Sequence, residues 1–197
     1  MKADFVIPGK NVNLRTTIPT DIDDYRRWND PTLKAWEFDG PWYNENDISG
    51  MIISRQRWLE SDHRPPYRHL EVETADGVHL GWVVVYYNEN DPHMTEFGID
   101  LPEEKSWGRG LGTEACYLWI DYLFAARDLT RIGFSTWSGN PAIINIGKKL
   151  GFIEEARIRR GCQVKGKFHD RIKMGILKEE WDRHKETFCI ISEPPSA

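Results

Sequence analysis

Short stretches in which hydrophobic and polar residues alternate, or in which apolar residues run together, predict the strands of this chain. The clearest alternation is in RIKMGIL, where Ile172, Met174 and Ile176 are separated by other residues. The turn residues ADG predict a hairpin between the second and third strands. The predicted strands cover residues 12–17, 67–74, 78–88, 94–101, 130–138 and the arms of a further hairpin, 155–164 and 168–177, around the turn KGK.

Four other segments have apolar residues at helical spacing. The first begins after Thr20, a suitable N-cap residue followed by acidic residues, and the second covers residues 47–60. The third follows a glycine-rich loop. The fourth has Asn140 as its N-cap, Pro141 beside it and Gly151 as its stop. The apolar face of the third helix consists of Leu111, Ala115, Leu118, Trp119, Tyr122 and Ala126.

The order of these elements indicates a mixed α/β (α+β) fold. A strand and two helices are followed by three strands, the glycine loop, a helix, a strand, a helix and two strands. Because consecutive strands are joined by short turns, the first half of the sheet should be largely antiparallel. A chain of 197 residues, 40% of them hydrophobic, is long enough for one domain with a sizeable core. We therefore expect residues 1–197 to form a single domain with a flexible tail at 190–197.

Charge and cysteine content argue against several classes of protein. The formal net charge of −5 argues against nucleic acid or an anionic membrane as the main partner. The longest apolar run, GWVVVYY, has the length of a strand and is too short for a membrane span. The three cysteines are far apart, which favours reduced thiols and a cytoplasmic location. The six histidines show no ligand spacing, so we predict no metal site.

The loop SWGRGLGTEA places Gly108, Gly110 and Gly112 at every second position before the third helix. Each glycine within a helix costs ~1 kcal/mol relative to alanine, so we infer that some group must approach this backbone closely. The free N–H groups of a helix N-terminus attract anions, and Arg109 adds positive charge. A pyrophosphate suits these features. Tight packing of the helix against a strand is the structural alternative.

Three phosphate-binding motifs contain glycines of this kind. A Walker A loop requires a lysine after its last glycine, and none follows Gly112. A dinucleotide fingerprint has the spacing G-x-G-x-x-G in the first turn of a βαβ unit, whereas this loop follows an antiparallel meander. The third motif is the R/Q-x-x-G-x-G/A loop of acyl-CoA-dependent N-acetyltransferases. Gly110 and Gly112 match its glycines, although Trp107 replaces the usual Gln or Arg.

Four segments together resemble the GNAT acetyltransferase superfamily: TEFGIDL, SWGRGLGTEA, NPAIINIGKKLGF and GKFHDRIKMGILKEEW. The resemblance covers residues 11–181 and points to the subgroup with ribosomal-protein N-terminal acetyltransferases, spermidine acetyltransferases and some antibiotic-modifying enzymes. It implies the GNAT fold, with a largely antiparallel mixed sheet of about six to seven strands flanked by helices. The sheet should be splayed to form an acyl-CoA slot. It also implies acetyl-CoA (coenzyme A) as co-substrate.

The resemblance further implies which residues bind the coenzyme. Backbone groups of Ile99, Asp100 and Leu101 would contact the pantetheine arm, and Asn140 would lie near the coenzyme. The pyrophosphate would be held by Trp107, Gly108, Arg109, Gly110, Leu111, Gly112 and Thr113.

Glu96 is the candidate general base, because an amine must lose a proton before it attacks a thioester. Glu96 precedes Gly98 by two residues and matches a glutamate common at this place in the family. A structural role, either fixing nearby backbone or standing exposed on the strand, is the alternative. A backbone N–H near Ile99 would stabilise the oxyanion. Many relatives have a tyrosine where this chain has Gly147, so we assign no general acid.

The resemblance places acceptor recognition in the first sixty residues, which are rich in aromatic and acidic side chains. Such side chains suit a cationic amine, and we predict that Trp36, Glu37, Asp39 and Trp42 bind the substrate. Core packing and surface solvation are their alternative roles. The predicted reaction transfers an acetyl group to a small-molecule amine or a peptide N-terminus, with the protein a monomer or homodimer. A catalytically silent acyl-CoA-binding or sensing domain of the same fold is the alternative function.

Overall fold

The computed structural model describes residues 3–40, 47–61, 67–87 and 91–192. None of the helices in these ranges is long and apolar enough to cross a bilayer. The strands are β1 (Val6–Pro8), β2 (Val12–Arg15), β3 (His69–Thr74), β4 (His79–Tyr87), β5 (Met94–Asp100), β6 (Arg131–Trp137), β7 (Ile153–Val164) and β8 (Lys167–Leu177). The α-helices are α1 (Asp21–Trp28), α2 (Asp47–Leu59), α3 (Leu111–Ala126), α4 (Pro141–Lys149) and α5 (Lys178–Ser192).

The described strands form one eight-stranded sheet in the order β1-β2-β3-β4-β5-β6-β8-β7. Neighbouring strands are antiparallel except β5 and β6, which are parallel. This parallel ladder ends where Glu96 pairs with Gly133, although β5 continues to Asp100 and β6 to Trp137. The two strands therefore separate into a slot at the place where the splay was predicted.

The α/β class and the largely antiparallel sheet are confirmed, with eight strands in place of six or seven. The added strand is β1, whose three residues are too few for alternation to be recognised. Helix α5 is also additional, and it runs through Ser192 into the segment predicted as a flexible tail. Residues 193–197 lie outside the described ranges. The buried Trp181 fixes α5 to α3, because its indole N–H donates to Asp121 Oδ1 at 3.1 Å.

The hydrophobic core has two parts. The larger one lies between the sheet and α3, and beside the slot it contains the contacting rings of Phe97, Phe134 and Phe152. The smaller one underlies α1 and supports the wall of the slot on the β4 side. It consists of Tyr25, Trp28, Trp36 and Trp82.

Candidate active site

Two cavities meet at the open end of the slot between β5 and β6. The first, of about 710 Å³, contains Glu96 and Gly98 and extends from α2 to β6. The second, of about 360 Å³, lies against the glycine loop and α4. Two molecules, one in each cavity, would therefore meet at the wall residues that the cavities share. These are Phe38, Asp39, Ile99, Asp100, Asn140 and Ile143.

The three positions of the loop are glycine for different structural reasons. Gly108 and Gly110 have φ values of 71° and 83°, in the left-handed region that favours glycine. Gly110 is the N-cap of α3. Gly112 lies inside the helix, where a Cβ would contact the methyl groups of Ile146 and Leu101 at 3.4 Å. The first two glycines thus make the turn, and the third keeps side-chain atoms off the cavity wall.

The predicted loop residues line the second cavity, with one exception, Arg109. Trp107 also fixes the loop, because its indole N–H donates to the carbonyl oxygen of Leu101 at 2.7 Å and its ring packs against Phe38. The departure from the usual motif at this position therefore has a structural role. Lys149, at the end of α4, lines the same cavity, and the sequence analysis did not identify it. A phosphate in this cavity would meet this ammonium group and the N-terminus of α3.

Asp39 and Asp100 bring two carboxyl groups to the junction of the cavities. Burial raises the pKa of Asp100 well above its usual range, the negative charge of Asp39 raises it further, and a hydrogen bond from the Trp82 indole opposes both. The sequence analysis considered only the backbone of Asp100. In the structure its side chain faces Asp39, so the carboxyl pair is a feature that tertiary contacts create.

Glu96 lies in the first cavity, on the last residue of β5 that pairs with β6. Its Oε1 accepts a hydrogen bond from the Ser135 hydroxyl at 3.1 Å and one from the Lys173 ammonium at 3.3 Å. The side chain is about one-third exposed, at 34%. The carboxylate is thus held at the mouth of the slot and remains accessible to a solute.

Asn140 joins α4 to the segment that closes the slot. Its side-chain oxygen accepts from the Ile143 N–H at 3.3 Å, which caps α4 as predicted, and its amide donates to the Phe38 carbonyl at 3.3 Å. The indole of Trp137 donates to the same carbonyl at 2.7 Å. Residues 38 and 39 are therefore fastened to the end of β6, and Asn140 lines both cavities.

Packing against β6 explains why position 147 is a glycine. A Cβ at this position would lie 2.7 Å from Cζ of Phe134 and 3.3 Å from the terminal methyl of Met174. The ring of Phe134, from β6, thus occupies the space that a side chain on α4 would need. A tyrosine does not fit here without rearrangement, which agrees with assigning no general acid to this helix.

The structure brings only part of the predicted acceptor set to the site. Trp36 and Asp39 line the first cavity. Trp36 is also a buried core residue, so the packing alternative holds for it as well. Glu37 lines neither cavity, because its carboxylate accepts from Lys165 on the surface at 2.7 Å. Trp42 lies outside the described residues.

Tyr86 and Arg55 line the first cavity and were not predicted. Tyr86 stands opposite Glu96 in the sheet, and its hydroxyl is 3.1 Å from the position that a Cβ of Gly98 would take. Alternation along β4 places Tyr86 on the same face as Val84, which lines the same cavity, so the sequence pattern could have indicated Tyr86. Helical spacing places Arg55 on the same side of α2 as Met51, Ile52 and Trp58, so the sequence offered a signal for its burial but none for a role in the site.

Arg55 belongs to a buried polar network beneath the cavity. It donates to the Tyr25 hydroxyl at 3.1 Å and to Glu71 at 3.2 Å, and Tyr25 donates to Glu71 at 2.7 Å. Burial raises the pKa of Glu71, but Arg55 and His79 outweigh burial and hold that pKa well below its usual range. Burial lowers the pKa of His79, but hydrogen bonds with Asp24 and Glu71 outweigh it and raise the value to about 9.

The network brings together one group with metal-ligand geometry, although the sequence spacing indicated none. Asp21, Asp24 and His79 place one ligand atom each within 4.8 Å of one another. Arg15 binds both oxygens of Asp21, and Arg27 pairs with Asp24 at 2.8 Å. The carboxylates already have cationic partners, so this group fits an ion-pair network.

Sequence comparison identifies the class of protein that this fold and site define. Residues 11–153 match the model of the acetyltransferase (GNAT) domain. The chain therefore belongs to the GNAT acetyltransferase family, as the motifs predicted.

Individual relatives resemble the chain over part of its length. YdaF of Bacillus subtilis (strain 168), named provisionally as a ribosomal N-acetyltransferase, is 30% identical over 110 residues, or 56% of this chain and 60% of that protein. Spermidine N(1)-acetyltransferase of Escherichia coli (strain K12) is 29% identical over 119 residues, or 60% of this chain and 63% of that protein. The chain thus aligns with less than two thirds of either relative.

Among solved structures, the spermidine N-acetyltransferase of Vibrio cholerae in complex with CoA and spermine has the same fold. Its TM-score is 0.67 at 20% sequence identity, covering 88% of this chain and 99% of that one. At this identity the similarity supports the GNAT fold.

Proposed function

We propose that this protein transfers an acetyl group from acetyl-CoA to a primary amine by direct attack of the amine on the thioester. The observation that supports this best is the junction of the two cavities at the open slot, where they share six wall residues. A donor held along the glycine loop and an acceptor held beside Glu96 would meet there. Holding two reactants in contact in this way accounts for a large part of the rate in two-substrate enzymes.

The second cavity is the proposed coenzyme site. The free N–H groups at the start of α3 and the ammonium of Lys149 suit a pyrophosphate. The segment from Ile99 to Leu101, at the end of β5, lies between that loop and the slot, so a pantetheine arm would follow it toward Glu96. Asn140 borders the same path.

In the proposed reaction Glu96 accepts the proton that the amine loses, either directly or through a water molecule. The amine nitrogen forms a bond to the carbonyl carbon, and a backbone N–H near Ile99 stabilises the oxyanion. The carbon–sulfur bond then breaks and the thiolate takes a proton from solvent. Because a thiol with a pKa near ~8.5 is a tolerable leaving group, a dedicated acid is not required.

The acceptor side suits a cation. Asp39, Asp100 and Trp36 line the first cavity, and carboxylates and aromatic faces both attract ammonium groups. This supports a polyamine, an amine-bearing antibiotic or a peptide N-terminus as the acceptor class. The named spermidine relatives agree with the first of these.

Release of free CoA tests the proposal. The protein is incubated with acetyl-CoA and separate amines: polyamines, aminoglycosides and peptides with a free N-terminus. Turnover with any one amine, above the rate without amine, supports the enzyme. Tight CoA binding by calorimetry with no turnover across the panel contradicts it and supports the acyl-CoA-binding or sensing domain.

A further inference from the structure

Lys173 places a primary amine beside the candidate base. It lies on β8 opposite Ser135 of β6, and both side chains reach the same oxygen of Glu96. The Lys173 ammonium is 3.3 Å from that oxygen, and the Lys173 side chain is 57% exposed. Two side-chain contacts therefore join β5 to β6 and to β8 at the mouth of the slot.

The position of this nitrogen matters for the mechanism. A general base must lie within about 2.6–3.2 Å of the group whose proton it takes, and such contacts are often longer without substrate. In the described part of the chain, Lys173 is the lysine that contacts Glu96. The other paired lysines have different partners, as Lys165 does with Glu37 and Lys185 with Asp121. Lys173 lines neither cavity itself, but its nitrogen contacts the carboxylate that lines the first cavity and that the proposed reaction uses as the base.

We propose that Lys173 is itself an acetyl acceptor, so that the protein acetylates this lysine when no external amine is bound. The inference rests on the proposed function, because it uses the same donor and base. The Lys173 ammonium gives one proton to Glu96, and the neutral nitrogen then forms the bond to the carbonyl carbon and loses its second proton to solvent. The carbon–sulfur bond breaks, and the thiolate leaves and takes a proton from solvent.

The modification regulates the site. A partly exposed ion pair is weak, so an incoming amine displaces Lys173 from Glu96 easily. Acetylation converts the ammonium into a neutral amide, which neither pairs with the carboxylate nor attacks a thioester. The acetylated side chain remains at the mouth of the slot. External amines and Lys173 therefore compete, and acetylated protein turns over external amines more slowly.

Mass spectrometry of the full chain tests this. The protein is incubated with acetyl-CoA alone, and intact mass and peptide mapping follow the gain of one acetyl group. Lys173→Arg removes the acceptor and keeps the charge. Lys185→Arg is the matched control, because the Lys185 ammonium also lies 3.3 Å from a carboxylate oxygen, but that oxygen belongs to Asp121 on α3 and not to the candidate base.

The expected result is one acetyl group at Lys173, lost in Lys173→Arg and retained in Lys185→Arg. Glu96→Gln lowers the rate at Lys173 about 10²-fold and leaves the background at Lys185 unchanged. The first-order rate does not depend on protein concentration, and a saturating acceptor amine slows it.

Two outcomes overturn the inference alone: wild-type turnover of an amine without acetylation of Lys173, or equal rates at Lys173 and Lys185. A rate that rises with protein concentration overturns the intramolecular step. No CoA release with any amine and no acetylation at Lys173 contradict the inference and the proposed function together.

Discussion

The carboxyl groups of this site differ in their chemistry because each one has different contacts. Glu96 accepts from a hydroxyl and an ammonium and stays partly exposed. Asp100 instead faces the carboxyl group of Asp39 and an indole donor. The first arrangement holds a carboxylate ready for a proton from a solute. The second makes ionisation unfavourable until a cation arrives.

Glu96→Gln tests the base. The change keeps the shape of the side chain and its contact with Ser135, and it removes the proton acceptor. We expect kcat to fall about 10²-fold or more, with the affinity for CoA unchanged by calorimetry. Glu154→Gln, at an exposed ion pair with Arg157 on β7, serves as the control with normal activity. Equal activity of Glu96→Gln and wild type across the pH range would rule the role out.

Asp100→Asn should stabilise the free protein at alkaline pH. The pKa of Asp100 is raised on folding, so its contribution to stability is present below the unfolded value of ~3.9 and is lost as pH rises through the folded value. Asparagine still accepts from Trp82 and does not ionise. Urea unfolding of both proteins at several pH values between about 5 and 9 gives their free energies of unfolding. The variant should be more stable than wild type by about 1 kcal/mol or more, and this difference should grow with pH.

Asp182→Asn provides the opposite control, because a hydrogen bond from Lys178 lowers the pKa of Asp182. A constant or shrinking benefit of Asp100→Asn with rising pH would show that the carboxyl pair does not strain the free protein.

At the scale of elements, the glycine loop and α3 form one unit. The left-handed residue Gly110 ends the loop and caps the helix, so the turn that frees the N–H groups also starts the apolar helix. The loop is fastened to the end of β5 through Trp107. The same short segment therefore serves both the core and the coenzyme cavity.

Gly110→Ala and Gly166→Ala separate stability from binding. Both glycines have left-handed φ, of 83° and 77°, and a Cβ at either would meet open space. Each change should cost about 1–2 kcal/mol in unfolding free energy. Only Gly110→Ala should weaken CoA, about tenfold or more by calorimetry, because only Gly110 lines the cavity. Equal CoA affinity in the two variants would refute the loop assignment.

At the scale of the whole molecule, the buried network links α1, α2, β3 and β4 beneath the first cavity. His79 contacts Asp24 and Glu71 there, and Arg55 reaches from the network into the cavity wall. The acceptor side of the site thus depends on ion pairs in the core.

Stability should depend on pH through His79. Its pKa rises from about 6.5 to about 9 on folding, so its contribution is fully present below pH ~6.5 and is lost as pH rises through ~9. The full contribution is about 3 kcal/mol at most. The difference in unfolding free energy between wild type and His79→Gln should therefore shrink between these pH values. A difference independent of pH would show that His79 is not charged in the folded protein.

The sequence by itself determined the class of fold, the glycine loop, the cap at Asn140 and the family. Alternation, helical spacing and glycine spacing are local properties, so they can be recognised in the sequence without the fold. The sequence also identified Glu96 as the candidate base and Asp39 as a candidate substrate-binding residue.

Only the tertiary structure decided which of these side chains meet. Asp100 turned toward Asp39, Phe134 took the space above Gly147, Glu37 paired with Lys165, and Lys173 reached Glu96. Each of these contacts joins residues from separate parts of the fold, and the sequence pattern alone does not determine how those parts pack together. The chemistry of the site therefore depends on the pairing of β5, β6 and β8, which is set by packing of the whole sheet.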